Sequence, residues 1–386
     1  MLRLKDFATP TSRCVLAVGI ALLACHAAPD EPESPLVPEA AQVEDPAPFQ
    51  AADVLEPNAL PVITYDGSGE IVHPDALVFP REWRGARFWY AATPYPSGNP
   101  AFENPSGYLG DNAEDFRPIP GITNPLAQPE QSAYLSDPDL SYDPVRDEIR
   151  LYYRQTTLDR DELFLKTSHK GFDWSVPVLV AQEKKYSLIS PAIVREQDGS
   201  WRMWTVDASN GGCRIRAANV VLVQRRSRDG IRWGNGEPVR LSIPDRVPWH
   251  WDVQYIKSKN EYWALVAAFP DAQDCSRSSV YFARSSDGTT WTVSPAPLLT
   301  TGVILPLQDL VYRSTFRYFA NEDVVTVWFS GARVENTHFH YALATARYPY
   351  NELLRRVNGT SAAKEPARVQ GGPLHKARVS FIDAFP

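Results

Sequence analysis

Cysteine is scarce in this chain, four among 386 residues, and no two of them stand in a C-x-x-C pair. Zinc-ribbon and thioredoxin-like readings are thereby excluded. Glycine-rich phosphate loops, Ser-His-Asp signatures and zinc-ligand spacings are also missing, which removes the common nucleotide, acyl-transfer and zinc-protease motifs. No run reaches the ~20 apolar residues that a bilayer-spanning helix needs. Helical periodicity is almost absent, with only residues 351–357 reading as a short helix. There is no basic patch of the kind that nucleic acid requires.

What is present begins with Arg3, Lys5 and Arg13, followed by the apolar run CVLAVGIALLA over residues 14–24 and then Cys25. That pattern predicts a secretory signal, since eleven residues rise only ~16 Å as a helix. The ending Leu-Leu-Ala-Cys resembles the lipobox of bacterial lipoproteins. The resemblance implies that Cys25 is acylated and becomes the mature N-terminus, a lipid anchor in the cell envelope. His26 stands where an aspartate would imply inner-membrane retention, so the outer membrane or the cell surface is expected. Residues 26–60 carry seven prolines, eight acidic residues and no Lys or Arg, a composition that predicts a disordered tether over residues 25–60. Its charge of −8 accounts for the chain's net −7, so the rest is near +1 and the acidity says nothing about a substrate. In an oxidising compartment Cys213 and Cys275 are expected to pair as a disulfide.

A repeat sets the architecture. Residues 168–174 read SHKGFDW, 227–233 SRDGIRW and 285–291 SSDGTTW, and their tryptophans Trp174, Trp233 and Trp291 are 59 and 58 residues apart. Ahead of each unit lies an apolar strand, a polar turn and an aromatic strand: SDPDLSYDPVRDEIRLYYR, ISPAIVREQDGSWRMWTVD and HWDVQYIKSKNEYWALVAAF. VHPDALVFPREWRGARFWYAATP and YRSTFRYFANEDVVTVWFSGA match in the same register. Five copies of four short strands predict an all-β, five-bladed β-propeller with antiparallel blades over residues 61–358, leaving 359–386 as a tail whose ARVSFIDAF stretch either closes the ring or trails. In the Ser-x-Asp-Gly-x-x-Trp turn, aspartate binds hairpin amides, glycine takes positive φ and tryptophan packs between blades, so the motif is structural. Cys213 and Cys275 follow the second strands of blades three and four at matching offsets, which suits a clamp between neighbouring loops.

The turn resembles the Asp-box of sialidases, with one residue fewer between Asp and Gly. Five blades opened by acidic residues resemble the clan of arabinanases, xylosidases and invertases. The inner-strand openings place Asp75, Asp139 and Asp252 at one equivalent position, with Ala192 and Ser314 in blades three and five. Three converging carboxylates repel one another, which suits general acid and base roles. The clan resemblance implies that Asp75 is the base or nucleophile and that Asp139 tunes it. The clan's blade-three glutamate has no counterpart in Ser190-Pro191-Ala192, leaving Asp252, or Glu103 in the insert GNPAFENPSGY, as the acid. The sialidase arginine triad has only Arg154, Arg313 and Tyr312 to offer.

His73 and His250, beside the axis positions, read as satisfied structural histidines or as ligand contacts. With Asp137, Tyr95, Trp249, Trp251 and Arg313 they form the expected substrate-binding set. Trp89, Tyr90 and Phe102 are further stacking candidates, balanced against packing between blades. His338 and His340 share a strand face but lack a third ligand. No metal site and no cofactor are expected; a structural calcium ion at the axis is the exception the acidic lining would allow. These expectations describe a monomeric, membrane-anchored glycoside hydrolase acting on oligo- or polysaccharide and binding no nucleic acid. A non-catalytic carbohydrate- or protein-binding propeller, or an envelope assembly scaffold, stands as the alternative.

Overall fold

A computed structural model describes residues 55–358 apart from 210, 272–274, 303–306 and 337. Cys25, the signal segment, the tether as far as residue 54 and the 359–386 tail lie outside the described residues. Among those described, no helix is long and apolar enough to cross a membrane.

Five four-stranded antiparallel sheets follow one another along the chain. Blade one comprises Ile71–Trp83, Ala86–Pro94, Ser106–Gly110 and Arg117–Pro118; blade two Tyr134–Asp143, Glu148–Thr156, Arg160–Ser168 and Val178–Lys184. Blade three comprises Ile189–Arg195, Trp201–Asp207, Val221–Ser227 and Glu237–Pro238; blade four Arg246–Ile256, Glu261–Pro270, Ser279–Ser285 and Thr292–Leu299. Blade five takes Leu310–Phe319, Val324–Glu335 and His338–Pro349 from the end of the chain and its outer strand, Leu55–Leu60, from the beginning. That strand corrects one expected boundary and answers a question that the sequence left open. The fold begins six residues before the compositional boundary at 61, and the ring is closed from the N-terminal side. Among the described residues one α-helix, Tyr350–Val357, follows blade five.

The apolar residues form five main clusters, each at one interface between neighbouring blades; Trp204, Trp251 and Trp291 fill the one between blades three and four. Turn chemistry locks these interfaces. Asp287 accepts from the amides of Thr289 and Thr290 at 2.7 and 2.8 Å, and Asp229 does the same for Ile231 and Arg232. The carbonyl of Gly288 accepts from Trp204 Nε1 of the preceding blade at 2.8 Å, while that of Asp287 accepts from Arg202 at 2.6 Å. Gly288 has φ +68° and a Cβ there would fall 2.0 Å from the Arg202 guanidinium, so the close blade approach itself demands glycine. Blade two repeats the device: Tyr152 donates to the Gly230 carbonyl and Arg150 to that of Asp229.

Cys213 and Cys275 are joined, with Cα atoms 5.3 Å apart. As expected, the bridge ties the loops after the second strands of blades three and four, at the end where inner strands begin.

Candidate metal centre at the propeller axis

Inner strands begin with a bulge. Register shifts fall between Val72 and Asp75, Ser136 and Asp139, Ile189 and Ala192, Pro248 and His250, and Val311 and Ser314. In blades one to three the bulged residue precedes proline and has positive φ: His73 at 54°, Asp137 at 52° and Ser190 at 51°. A non-glycine residue held there costs of order 1–3 kcal/mol, a strain that concentrates at functional sites. Two layers of side chains result.

The deeper layer contains the predicted catalytic aspartates. Asp75, Asp139 and Asp252 do meet, each offering a carboxylate oxygen within 4.8 Å of the others. All three are at most 3% exposed. Each carboxylate binds a backbone amide of the next blade: Asp75 accepts from Leu140, Asp139 from Ile193 at 3.3 Å and Asp252 from Phe316 at 3.3 Å. Thr315 touches both Asp75 and Asp252 at 2.9 Å. Thr315, and not Ser314, is therefore the blade-five member, because its amide neighbour Phe316 occupies the place of Leu140 and Ile193. This geometry stitches the ring shut. Burial raises the Asp139 carboxyl well above its usual range, helped by repulsion from Asp75 and Asp252; burial and Asp75 likewise raise Asp252.

A group raised in the folded state stabilises at low pH, and that contribution is lost as pH rises through the folded value. Asp139→Asn removes the repulsion. It is expected to raise the melting temperature at pH 8 by about 1–2 °C, the shift that about 1 kcal/mol gives at roughly 2.1 cal/mol/K of unfolding entropy per residue over a fold of this size, and to change it less at pH 4. Thermal denaturation at both pH values checks this; a lower melting temperature at pH 8 would mean that the three carboxylates hold a cation together.

The outer layer is built from the bulged residues. Asp137 is fully buried and is the centre: Arg154 Nε lies 3.0 Å from Oδ2, the Ser190 amide donates to Oδ2 at 3.2 Å, and Arg313 Nη1 is 3.5 Å from Oδ1. Oδ1 also faces His73 Nε2 at 3.7 Å and His250 Nδ1 at 3.5 Å. Burial alone would raise this carboxyl, but the charges around it, Arg154 foremost and Arg313 with it, outweigh burial and hold it ionised far below the ordinary range. Arg154 is itself braced by Ser136 and Asp161.

Glu103 reaches this layer from the blade-one insert. Asn99 caps the short Pro100–Phe102 turn through the Ala101 amide, and Tyr65 donates to the Phe102 carbonyl, which fixes the loop. Glu103 Oε1 then lies 3.0 Å from His73 Nδ1. Burial raises the Glu103 carboxyl, with His73 opposing. Tyr312 packs its ring 5.3 Å from His73 and 4.5 Å from His250, and burial keeps its phenol protonated.

The expectation of satisfied histidines does not hold. His73 Nε2 and both ring nitrogens of His250 are buried without a hydrogen-bond partner. Burial, with His73, Arg313 and Arg154 adding to it against Asp137, holds His250 neutral. Leaving such groups unpaired costs about 1–3 kcal/mol each. His73, Asp137 and His250 offer one ligand atom apiece, all within 4.8 Å of one another. Tetrahedral ligands at about 2.1 Å from an ion stand about 3.4 Å apart, which the 3.5 and 3.7 Å separations approach. The residues fit a divalent transition cation, with Glu103 orienting His73 from behind.

Other candidates lie elsewhere. Trp89, Tyr90 and Trp251 are buried in the blade interfaces. Trp249 is buried against His250 and Phe269, and Tyr95 packs edge-on against Tyr341. None of these is an open stacking platform. His340 pairs with Glu70. Ser190, Arg154, Tyr312 and Thr315 also belong to the axis; for Ser190 the signal in the sequence was the residue-Pro pair that it shares with His73 and Asp137.

No family model matches this chain. It is 27% identical over 319 residues, 70% of its length, to the A type blood N-acetyl-α-D-galactosamine deacetylase of Flavonifractor plautii, and spans 41% of that protein. A solved N-acetylgalactosamine deacetylase from F. plautii, in complex with blood group B trisaccharide, superposes with a TM-score of 0.73 at 21% identity, covering 80% of this chain and 99% of the other. A thermostable family-43 glycoside hydrolase (TM-score 0.53, 11% identity, 72% and 88% covered) shares the fold. So does a xylan β-1,4-xylosidase of Bacillus halodurans (0.55, 14%, 72% and 52%). The chain is thus a five-bladed propeller whose relatives are carbohydrate-active enzymes, as the clan resemblance implied.

Proposed function

We propose that this propeller is a metal-dependent amidohydrolase that removes the acetyl group from an N-acetylated sugar. The observation that carries the reading is the set of buried imidazole nitrogens without a hydrogen-bond partner, His73 Nε2 and both of His250, facing the ionised Asp137; the similarity to the F. plautii deacetylase supports it. His73 Nε2, Asp137 and His250 would hold a divalent cation, which would supply Lewis acidity toward the amide carbonyl and the attacking water. Glu103, raised toward neutrality by burial, takes the proton as the water oxygen bonds to the carbonyl carbon. It returns that proton to the amine as the carbon–nitrogen bond breaks. The phenol of Tyr312 is a donor for charge developing on the carbonyl oxygen. Arg154 and Arg313 keep Asp137 ionised and oriented.

Glycoside hydrolysis through Asp75, Asp139 and Asp252 is the weaker reading, since each of those carboxylates accepts from a blade-to-blade amide and only Asp139 Oδ2 is left without a partner. The two reactions leave different products. Incubation with an N-acetylgalactosamine-terminated oligosaccharide is expected to give acetate and an intact, deacetylated glycan, with turnover lost on chelation and restored by zinc or manganese. Release of reducing sugar without acetate would overturn the assignment.

Export and anchoring through Cys25 form part of the same proposal, placing the enzyme at the envelope surface where glycans are met. Labelling cells with a palmitate analogue is expected to tag the full chain but not its Cys25→Ala variant; equal labelling of both would remove the anchor.

A further inference from the structure

Blades two, three and four enter their inner strands through the same turn. The amides of Ala133, Ser187 and Arg246 donate to the carbonyls of Glu130, Lys184 and Ile243 at 3.1, 3.0 and 3.2 Å. The third residue of each turn has positive φ: Ser132 at 64°, Tyr186 at 66° and Asp245 at 56°. Such a turn favours glycine or asparagine at that place, and the short side chains of Ser132 and Asp245 fit it. Tyr186 departs from the pattern. A bulky residue held at left-handed φ costs of order 1–3 kcal/mol, and strain of that kind gathers at functional positions.

The surroundings hold the ring in place. The Tyr186 carbonyl accepts from the Ala208 amide at 2.8 Å, and the ring lies against Gly212, where a Cβ would stand 3.0 Å from Cε2. Gly212 precedes Cys213, so the bridge to Cys275 braces the seat of the ring. Unlike Tyr95 and Trp249, which are buried, Tyr186 is half-buried and within reach of a solute. The Lys185 ammonium lies over the ring, 5.1 Å from its centroid. The negative π face that attracts this ammonium also attracts the polarised C–H bonds of a sugar, and the lysine stem is flexible enough to give way. Tyr186 is four residues before Ser190, whose amide holds Asp137, which is at most about 14 Å of chain. Burial foremost raises the Tyr134 phenol; Arg154 opposes, and Tyr186 and Glu103 both add to the rise. The ring therefore stands at the rim of the metal layer, on the side of blades two and three.

Resting on the deacetylase reading, we propose that Tyr186 is a specificity-determining residue: the sugar next to the N-acetylated one lays its C–H face on the Tyr186 ring, so the substrate is an oligosaccharide and not a single sugar. The test measures acetate release from an N-acetylgalactosaminyl-galactose disaccharide and from methyl N-acetyl-α-galactosaminide, together with calorimetric binding of the disaccharide with and without zinc. Tyr186→Gly takes the left-handed turn without strain. It is expected to raise the ratio of the disaccharide KM to the methyl glycoside KM about tenfold, and to weaken disaccharide binding by a similar factor. Should it fail to fold, Tyr186→Asn, the other residue that the turn accepts, carries the same expectation. Tyr186→Phe keeps the ring and is expected to change either quantity by less than about threefold. Lys185→Ala vacates the outer face and is expected to leave binding equal or tighter. Weakened binding in Tyr186→Gly with no acetate released by any protein would support the sugar contact and overturn the deacetylase reading alone. An unchanged KM ratio with acetate still released would overturn the contact alone. So would absence of disaccharide binding to the parent, or a loss in Lys185→Ala as large as in Tyr186→Gly, which would assign recognition to the charge.

Discussion

His250→Ala is expected to abolish deacetylation, with a loss of about 10³-fold or more, the rate equivalent of the several kcal/mol that a Lewis acid contributes. His250 is buried between Asp137 and Tyr312 with both ring nitrogens unpartnered, so its removal takes away a ligand and breaks no hydrogen bond. The fold is therefore expected to persist, with a melting temperature that no longer rises when zinc or manganese is added. The parent, stripped with a chelator, should show that rise and recover activity with it. Calorimetric metal titration of both proteins checks the point. Full activity in His250→Ala, or metal binding with unchanged affinity, would show that the imidazole cluster is not a metal centre.

Glu103→Gln is expected to lower kcat by about 10²–10⁴-fold, the range for removing a general base. The glutamine oxygen still accepts from His73 Nδ1, so metal affinity should change little. Glu103→Ala loses both roles, and its metal affinity is expected to fall about 10–100-fold as well. The difference between the two variants separates proton transfer from orientation of His73. The pH profile gives a third reading. Glu103 must be ionised to accept a proton, and burial raises its carboxyl. Activity should therefore fall as pH drops through a value above the ordinary glutamate range, and this acidic limb should vanish in Glu103→Gln. Retention of kcat in Glu103→Gln would reassign the base.

The repeat made the propeller legible because blade geometry is local. A Ser-x-Asp-Gly-x-x-Trp turn closes its own hairpin through bonds between residues two or three apart, as Asp229 and Asp287 show. Strand alternation, the disulfide partners at matched loop offsets and the short helix at 350–357 are local or periodic in the same sense. The convergence of Asp75, Asp139 and Asp252 was legible too, since equivalent positions in a radial repeat must meet at its axis.

What those carboxylates do was not legible. Spacing along a chain says that two side chains meet; it does not say which backbone amide each will find, and that decided ring closure for Asp75 and Asp252. The neighbouring residues His73 and Asp137 differ from them by only two positions, yet the positive-φ bulge turns them into a separate layer. By itself the sequence determined a five-bladed ring with polar side chains at its axis, because that follows from periodicity and from turn chemistry confined to each hairpin. Only the tertiary structure decided which of those side chains are consumed in closing the ring and which are left without partners, because hydrogen-bond satisfaction in a buried site is settled among residues from five different blades.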